Sequence, residues 1–322
     1  MSSFTKAEIT GTGALAALQR IACNDLDRGP GSFVYTQFLN ARGGIEVDLT
    51  ITRLDEDRFY VVTGSAYRPH DLAHLQAHLP RDGSVMLRDV TAQFAVINLV
   101  GPLSREVLSR VSTDDVSAVG IPYMQAREIQ IGYAVVRALR VSYVGEPGWE
   151  LHVQVEYARH VCDRLIAASA ALRIIDVGYR AILSLRLKKQ YLYWGVDISP
   201  DDTPLEAGLG FCMAWTKASE FIGRAALARQ REAGVARKLT WFNIVGEAPW
   251  SGGEPILHHG RVVGTVTSAG FGYAIGRTIA PGYLPASLGD EEGFEIEAIG
   301  EQYAVSRHTR AIYDPAGARL RS

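Results

Sequence analysis

The sequence predicts an α+β protein: two pseudo-repeated α+β units followed by a small C-terminal β domain. Three observations carry this reading. Through the first half of the chain, short runs that alternate apolar and polar residues are interspersed with runs of helical spacing. That half also repeats itself, Gly11 recurring as Gly101 in the same strand-turn-helix setting. From residue 237 onward, helical spacing gives way to alternating runs broken by glycine-containing turns.

In chain order, residues 6–21, KAEITGTGALAALQRI, read as a strand, a glycine turn and a helix, and residues 96–111, VINLVGPLSREVLSRV, read the same way. The shift lays Leu18 on Leu108, Arg20 on Arg110 and Ile21 on Val111. It also lays the hairpin LTITRLDEDRFYVV (49–62) over LRVSYVGEPGWELHV (139–153), with Phe59 on Trp149. Each hairpin precedes a helical pattern, HDLAHLQAHL (70–79) and YARHVCDRLIAA (157–168). The repeat therefore spans 5–80 and 95–170, and each unit is expected to bury the other's sheet face. Residues 178–190 continue as a helix, SPDDTPLEAGLG (199–210) as a turn-rich crossing segment and FIGRAALARQREAG (221–234) as another helix. The runs KLTWFNIVG, EPILHHGRVVGTVTS and GFEIEAIGEQYAVSR then suggest a barrel-like domain over 237–322, after a first domain over 1–236.

The chain has 322 residues and 47% hydrophobic content, enough to bury substantial cores. A net charge of −2, with no basic cluster among exposed aromatics, gives no electrostatic case for nucleic acid. No apolar run reaches the length of a membrane span, and MSSFTKAEIT lacks the apolar core of a signal peptide, so a cytoplasmic protein is expected. Cys23, Cys162 and Cys212 are odd in number and widely spaced, which indicates reduced thiols rather than a disulfide framework.

Four stretches invite chemistry. GTGALA (11–16) imitates a dinucleotide fingerprint, but the next strand-like run ends in Asn40 where an acidic residue is wanted, so a plain turn is the reading. His70, His74 and His78 share one helix face; Leu72, Leu75 and Leu79 mark the buried face, which leaves the histidines in solvent and predicts no metal site. GGIEVDLTIT (43–52) alternates as a half-buried strand whose polar face carries Glu46 and Asp48, about 7 Å apart at the strand rise. Asp is disfavoured in strands, so Asp48 asks for a reason. In SYVGEPGWELHV (142–153) a Gly-Glu-Pro-Gly turn punctuates two strands, and alternation sets Trp149, Leu151 and Val153 against Glu150 and His152. Glu150 can grip an N–C–N donor edge bidentately; composition alone reads it as a surface residue.

Seven ordered stretches carry a family resemblance: SSFTKAEITGTGALAALQR, YTQFLNARGGIEVDLTITRL, YVGEPGWELHV, DTPLEAGLGF, FIGRAAL, GRVVGTVTSAGF and YDPAGARLR. In these the chain resembles, essentially from end to end, the aminomethyltransferase family, which comprises the T-protein of the glycine cleavage system and its tetrahydrofolate-binding relatives. In wording it is nearest the folate-binding C-terminal part of dimethylglycine and sarcosine dehydrogenases. The resemblance implies a central hole in which tetrahydrofolate lies with its pterin buried. It puts the aspartate near the reacting folate nitrogens on Asp48, as a proton relay and stabiliser of cationic charge. It puts the pterin-recognising glutamate on Glu150, with Tyr143 as a neighbouring contact, and suggests Arg186 as partner of the aminobenzoyl-glutamate part. Glu46 falls on an ordinary variable position.

The implied activity is transfer of a one-carbon unit from an N-methyl or aminomethyl donor, giving 5,10-methylenetetrahydrofolate, with a separate flavin oxidase or dehydrogenase upstream. Direct methyl transfer from an O- or S-methyl donor is the alternative within the class. A non-catalytic folate-binding homologue is the alternative outside it, as is a fold turned to another small molecule. The branch tied to iron–sulfur cluster assembly carries a cysteine where this chain reads KKQYLYWGVD, without one. Other departures stand in the helix, where Leu183, Lys188 and Gln190 replace two acids and a glycine. Gln190 predicts a different helix end, because left-handed backbone is costly outside glycine. The extra lysines are expected to favour a polyglutamate tail or anionic substrate, or to lie in solvent. Relatives carry several tens of residues before the Ser-Ser-Phe motif, so three readings stand open: a naturally short chain, a subunit whose arm a partner supplies, or a fragment.

Overall fold

The computed structural model describes residues 2–322. Its first unit runs β1 (Thr5–Thr10), α1 (Ala14–Ile21), β2 (Phe33–Leu39), β3 (Ile45–Asp55), β4 (Arg58–Thr63), α2 (Arg68–His78) and β5 (Met86–Asp89). The strands form one antiparallel sheet in the order β2-β3-β4-β1-β5. Alternation decides its two faces. Val47, Leu49 and Ile51 join Ile9, Phe59 and Val61 against Leu18 and Ile21 of α1 and Leu75 of α2. The turn into α1 needs glycine for close approach: at Gly11, with φ at +118°, a Cβ would stand 2.3 Å from the Ser84 carbonyl oxygen. GTGALA is thus a packing turn against residue 84.

The second unit runs β6 (Phe94–Val100), α3 (Ser104–Val111), β7 (Ala126–Ile131), β8 (Ala134–Leu139), β9 (Gly148–Gln154) and α4 (Ala158–Ala168). Its sheet order β6-β9-β8-β7 repeats β1-β4-β3-β2, and Trp149 opposite Leu99 repeats Phe59 opposite Ile9. Trp149, Leu151 and Val153 pack with Val107, Leu108, Val161 and Leu165 beneath α3 and α4.

The polar faces of the two sheets meet each other. Tyr60 on β4 bonds His152 on β9, hydroxyl to Nδ1, at 3.0 Å, and the Arg137 guanidinium lies 4.4 Å from the Tyr60 ring centroid. Glu8, facing Arg137 from β1, accepts from Arg58 and Arg88 at 2.8 Å each. A buried carboxylate is tolerable only with such partners. Alternation therefore marks here a face buried against a second sheet, not one in water. The 139–153 hairpin is also looser than its sequence suggests: β8 ends at Leu139 and β9 begins at Gly148, with residues 140–147 as a loop. Buried Arg140 pulls that loop away by donating to the Ile121 and Arg321 carbonyls.

The chain continues through α5 (Tyr179–Leu187) and α6 (Arg224–Ala233) into β10 (Arg237–Val245), β11 (Pro255–His258), β12 (Arg261–Val266), β13 (Gly270–Gly272), β14 (Arg277–Pro285), β15 (Phe294–Ala298), β16 (Glu301–Ala304) and β17 (Ser306–His308), then a last turn, α7 (Ala318–Arg321). These strands make a nearly closed barrel in the order β16-β15-β11-β12-β14-β10-β17, with β13 on β14. Phe242, Trp250, Ile256, Phe294 and Ile296 fill it.

Two sequence expectations about the end of α5 are corrected. Gln190 adopts the left-handed backbone itself, φ +60°, in a Schellman arrangement: Tyr191 N–H donates to the Arg186 carbonyl and Gln190 N–H to that of Leu187. Lys188 and Lys189 are neither solvated nor free for an anion. Lys188 Nζ lies 3.1 Å from Glu146 Oε1 and over the Tyr313 ring, and Lys189 is bonded to Asp314. A carboxylate at each position draws the ammonium inward. Because a non-glycine residue in left-handed backbone carries strain, Gln190→Gly is expected to raise stability by roughly 0.5–1 kcal/mol. Urea unfolding checks this, and a lower midpoint would mean that the Gln190 side chain packs to advantage.

Candidate active site

Asp48 sits on β3 beyond the Gly43-Gly44 turn, and that turn fixes where the strand starts. A Cβ on Gly44 would stand 2.1 Å from the Pro200 carbonyl oxygen, so only glycine lets the crossing segment approach. Ile45 N–H then donates to the Asp202 carbonyl at 3.0 Å. A bulge at this point, between Phe38–Val47 and Leu39–Ile45, makes Glu46 the extra residue of the pair. Glu46 accepts from Asn40 and lies 3.5 Å from His70 of α2, so the two carboxylates of this strand have separate surroundings.

Asp48 and Tyr35, on neighbouring strands, are half-buried on the polar face of the first sheet. Gln37 Nε2 donates to Asp48 Oδ1 at 3.0 Å, and the Tyr35 phenol is close enough to favour the ionised carboxyl. Burial pushes the Asp48 carboxyl up to about 6, against the opposing pull of the Gln37 and Tyr35 hydrogen bonds. A strand aspartate thus answers to an interior position on the face that meets the second unit.

The other expected residues lie on different elements. Tyr143, on the 140–147 loop, donates to the Leu192 carbonyl and stacks on Tyr191 at 5.7 Å. Its phenol is held above the ordinary range by burial and is close enough to Asp48, Arg186 and Asp197 to respond to their charges. Glu150, on β9, keeps a partly accessible carboxylate, with His152 Nε2 at 3.6 Å. It is therefore on an enclosed face rather than the exposed hairpin that composition suggested. Tyr143 responds to the charges of both Asp48 and Arg186, while Glu150, on the second sheet, stands beside His152 and faces Tyr60 of the first.

Arg186 is buried at 2% exposure and its charge is already matched. Nη1 donates to Asp197 Oδ2 at 2.7 Å and to the Tyr191 carbonyl, and Nη2 donates to Ser268 Oγ at 2.9 Å. The guanidinium that the resemblance assigns to the aminobenzoyl-glutamate part of folate is thus engaged by an internal aspartate. The histidine stripe is also corrected. His70 and His78 are exposed, but His74 lies flat on Phe38, ring centroids 5.7 Å apart, and burial lowers its imidazole to about 4.

Sequence reasoning passed over Gln37, Tyr35 and Asp197. Gln37 had a signal: counting back from the Asn40–Gly44 turn pairs it with Asp48. Asp197 had none, because its partners Thr267 and Ser268 are brought to it from the barrel.

Two family matches cover most of the chain: the GCVT N-terminal domain over residues 1–217 and the glycine cleavage T-protein C-terminal barrel domain over 237–314. The chain belongs to the aminomethyltransferase (glycine cleavage T-protein) family, a family of folate-dependent one-carbon transfer. It is 34% identical over 287 residues to an aminomethyltransferase of Rubrobacter xylanophilus, covering 89% of this chain and 74% of that one. It is 37% identical to the mitochondrial sarcosine dehydrogenase of Homo sapiens and 36% to the 4-methylaminobutanoate oxidase (formaldehyde-forming) of Paenarthrobacter nicotinovorans, along its whole length in both cases. It spans only 37% and 39% of the length of those two proteins. The glycine cleavage system aminomethyltransferase T of Bartonella henselae superimposes with a TM-score of 0.85 at 26% identity, over 98% of this chain and 85% of that one.

Two measurements test this geometry without any ligand. Asp48 takes its proton near pH 6 when folded and near 4 when unfolded, so its contribution to stability falls as pH rises between those values and stays lowest above them. Asp48→Asn, with no charge to bury, is expected to exceed the parent by roughly 1–3 kcal/mol at pH 8 and to match it near pH 4. Equal stability at both pH values in urea titrations would mean that Asp48 is solvated. Asp197→Ala strands the Arg186 guanidinium and is expected to cost about 3–5 kcal/mol; a loss below 1 kcal/mol would mean that water reaches Arg186.

Proposed function

We propose that this chain is a tetrahydrofolate-dependent one-carbon transferase that takes its carbon from an N-methyl or aminomethyl donor. The observation that carries the reading is Asp48: a half-buried carboxyl on a strand, bonded by Gln37, with a proton affinity raised toward neutrality. Natural strands do not accept a desolvated aspartate without a use for it. The surroundings fit a reduced pterin. Glu150 keeps a partly accessible carboxylate, beside His152, that can meet an N–C–N donor edge, and Tyr143, stacked on Tyr191, offers a phenol on the 140–147 loop. Tetrahydrofolate, when bound, supplies the nitrogen atoms that accept the carbon.

The residues would act as follows. Glu150 and Tyr143 hold and orient the pterin. Asp48, largely ionised at pH 7, accepts the proton that the attacking amine must lose and stabilises positive charge on the incoming carbon–nitrogen group. Arg186, committed to Asp197, serves the frame that carries Tyr191 and Tyr193 past Tyr143. The first domain, 1–236, would supply the folate site and the barrel, 237–322, its backing. The names of the relatives, a sarcosine dehydrogenase and a methylaminobutanoate oxidase, favour an N-methyl amine donor. An oxidoreductase of the flavin class would then raise the methyl carbon to the formaldehyde level before transfer, and this chain is its folate-side partner.

Anaerobic calorimetry with tetrahydrofolate is the test. Micromolar binding is expected; its absence would overturn the reading. Asp48→Asn should keep that affinity and lose most of the turnover in a coupled assay for 5,10-methylenetetrahydrofolate, by roughly 10²–10⁴-fold. Glu150→Ala should abolish binding, and unchanged affinity would remove Glu150 from the pterin contact.

A further inference from the structure

Gln37 is wholly buried, and both ends of its carboxamide are occupied. Nε2 donates to Asp48 Oδ1. Oε1 lies 3.6 Å from Cys23 Sγ, and the Cys212 thiol is close enough to Asp48 to respond to its charge. Cys23 Sγ also lies 3.3 Å from the Cys212 carbonyl oxygen and 3.5 Å from Thr36 Oγ1, so this thiol sits in a polar pocket that includes the amide oxygen of Gln37. Burial raises both thiols above their ordinary range, which keeps them as S–H groups. The contact is built into the sheet, since Gln37 and Asp48 are direct cross-strand partners on β2 and β3.

The chemistry of these groups admits one arrangement. An ionised carboxylate offers acceptors only, so the amide must present its NH2 to Asp48. That leaves the amide oxygen toward Cys23, whose S–H can donate to it. A flipped amide would set two oxygens against each other at Asp48 and leave the NH2 facing sulfur, a weak acceptor. Tyr35 on β2, Tyr143 on the 140–147 loop and Cys212 on the turn at 210–212 are the other titratable groups around the carboxyl.

We propose that Gln37 is a positioning residue for Asp48, its carboxamide held in one orientation by the thiol of Cys23 so that it fixes one carboxylate oxygen and favours the ionised form. The role in turnover rests on the folate reading given above; the effect on the carboxyl does not. Without this donor, desolvation acts on Asp48 less opposed, and a larger fraction is protonated, and idle as a base, at neutral pH.

The test reads Asp48 itself in the ligand-free protein, by 13C NMR titration of selectively aspartate-labelled chain, with Asp48→Asn identifying the resonance. Gln37→Met conserves volume and removes the donor. Its Asp48 midpoint is expected to rise by about one pH unit, and the acid limb of the turnover profile should move with it. A midpoint unchanged in Gln37→Met overturns the proposal. Cys23→Ala should raise the midpoint by a smaller amount, and no shift there overturns the part given to the thiol. If Gln37→Met does not fold, Gln37→Glu replaces it. Two carboxyls sharing one proton should titrate in two well-separated steps, and independent titration overturns the proposal. Because no folate enters the measurement, a protein that fails to bind tetrahydrofolate can still show the shift. A folate-binding protein without the shift loses the positioning role alone.

Discussion

The ion pair of Arg186 and Asp197 is the constraint on which the rest of the architecture leans. Asp197, at 1% exposure, accepts from the Arg186 guanidinium, the Tyr193 N–H and the hydroxyls of Thr267 and Ser268. These donors come from the helix α5, the turn after it and the barrel. An ion pair removed from water stabilises nothing unless its remaining lone pairs are also filled, and here they are. The barrel is thereby part of the site's frame. It holds the segment 191–197, whose Leu192 carbonyl receives the Tyr143 hydroxyl.

A second frame stands on the other side of Tyr143. The Gly-Glu-Pro-Gly loop is tied down from the C-terminal segment, with Tyr313 bonded to Glu146, Lys188 between Glu146 and the Tyr313 ring, and Lys189 bonded to Asp314. The residues by which this helix departs from its family pattern are therefore read together. A lysine replaced an acid where the loop and the C-terminal segment each bring an acceptor to the helix end. Rigid support of this kind is what a loop-borne contact residue requires, since a loop alone does not hold a side chain to the tolerance that binding needs.

Between these frames the two sheets bring their polar faces together, and local rules of strand composition are broken where they meet. Asp48 loses solvation, Glu8 is neutralised by arginines, and His152 is fully enclosed. Violations of this kind are costly in stability and concentrate where a protein has a use for them. The first unit's apolar face shows none, because it answers only to packing against its own helices.

Much of this was legible in order along the chain. The repeat, the strand-turn-helix openings, the strand of Asp48 and the β-rich end all follow from periodicity, which is local and survives in a single sequence. Family wording pointed to Asp48, Glu150, Tyr143 and Arg186 before any coordinate. What periodicity could not say is which side of an alternating strand meets water, since a polar face turned to solvent and one turned to a second sheet read alike. So the exposed hairpin of Glu150, the solvated lysines 188 and 189 and the histidine stripe were misplaced. Nor does a sequence announce that Arg186 is spoken for by an aspartate eleven residues on and a hydroxyl from the barrel segment, or that Gln37 stands between a carboxylate and a thiol. Periodicity and composition along the chain specify the elements and which residues bear chemistry. Which charges are matched, and which carboxyl is left desolvated, depends on contacts between residues far apart in the chain and so is settled only in the folded molecule.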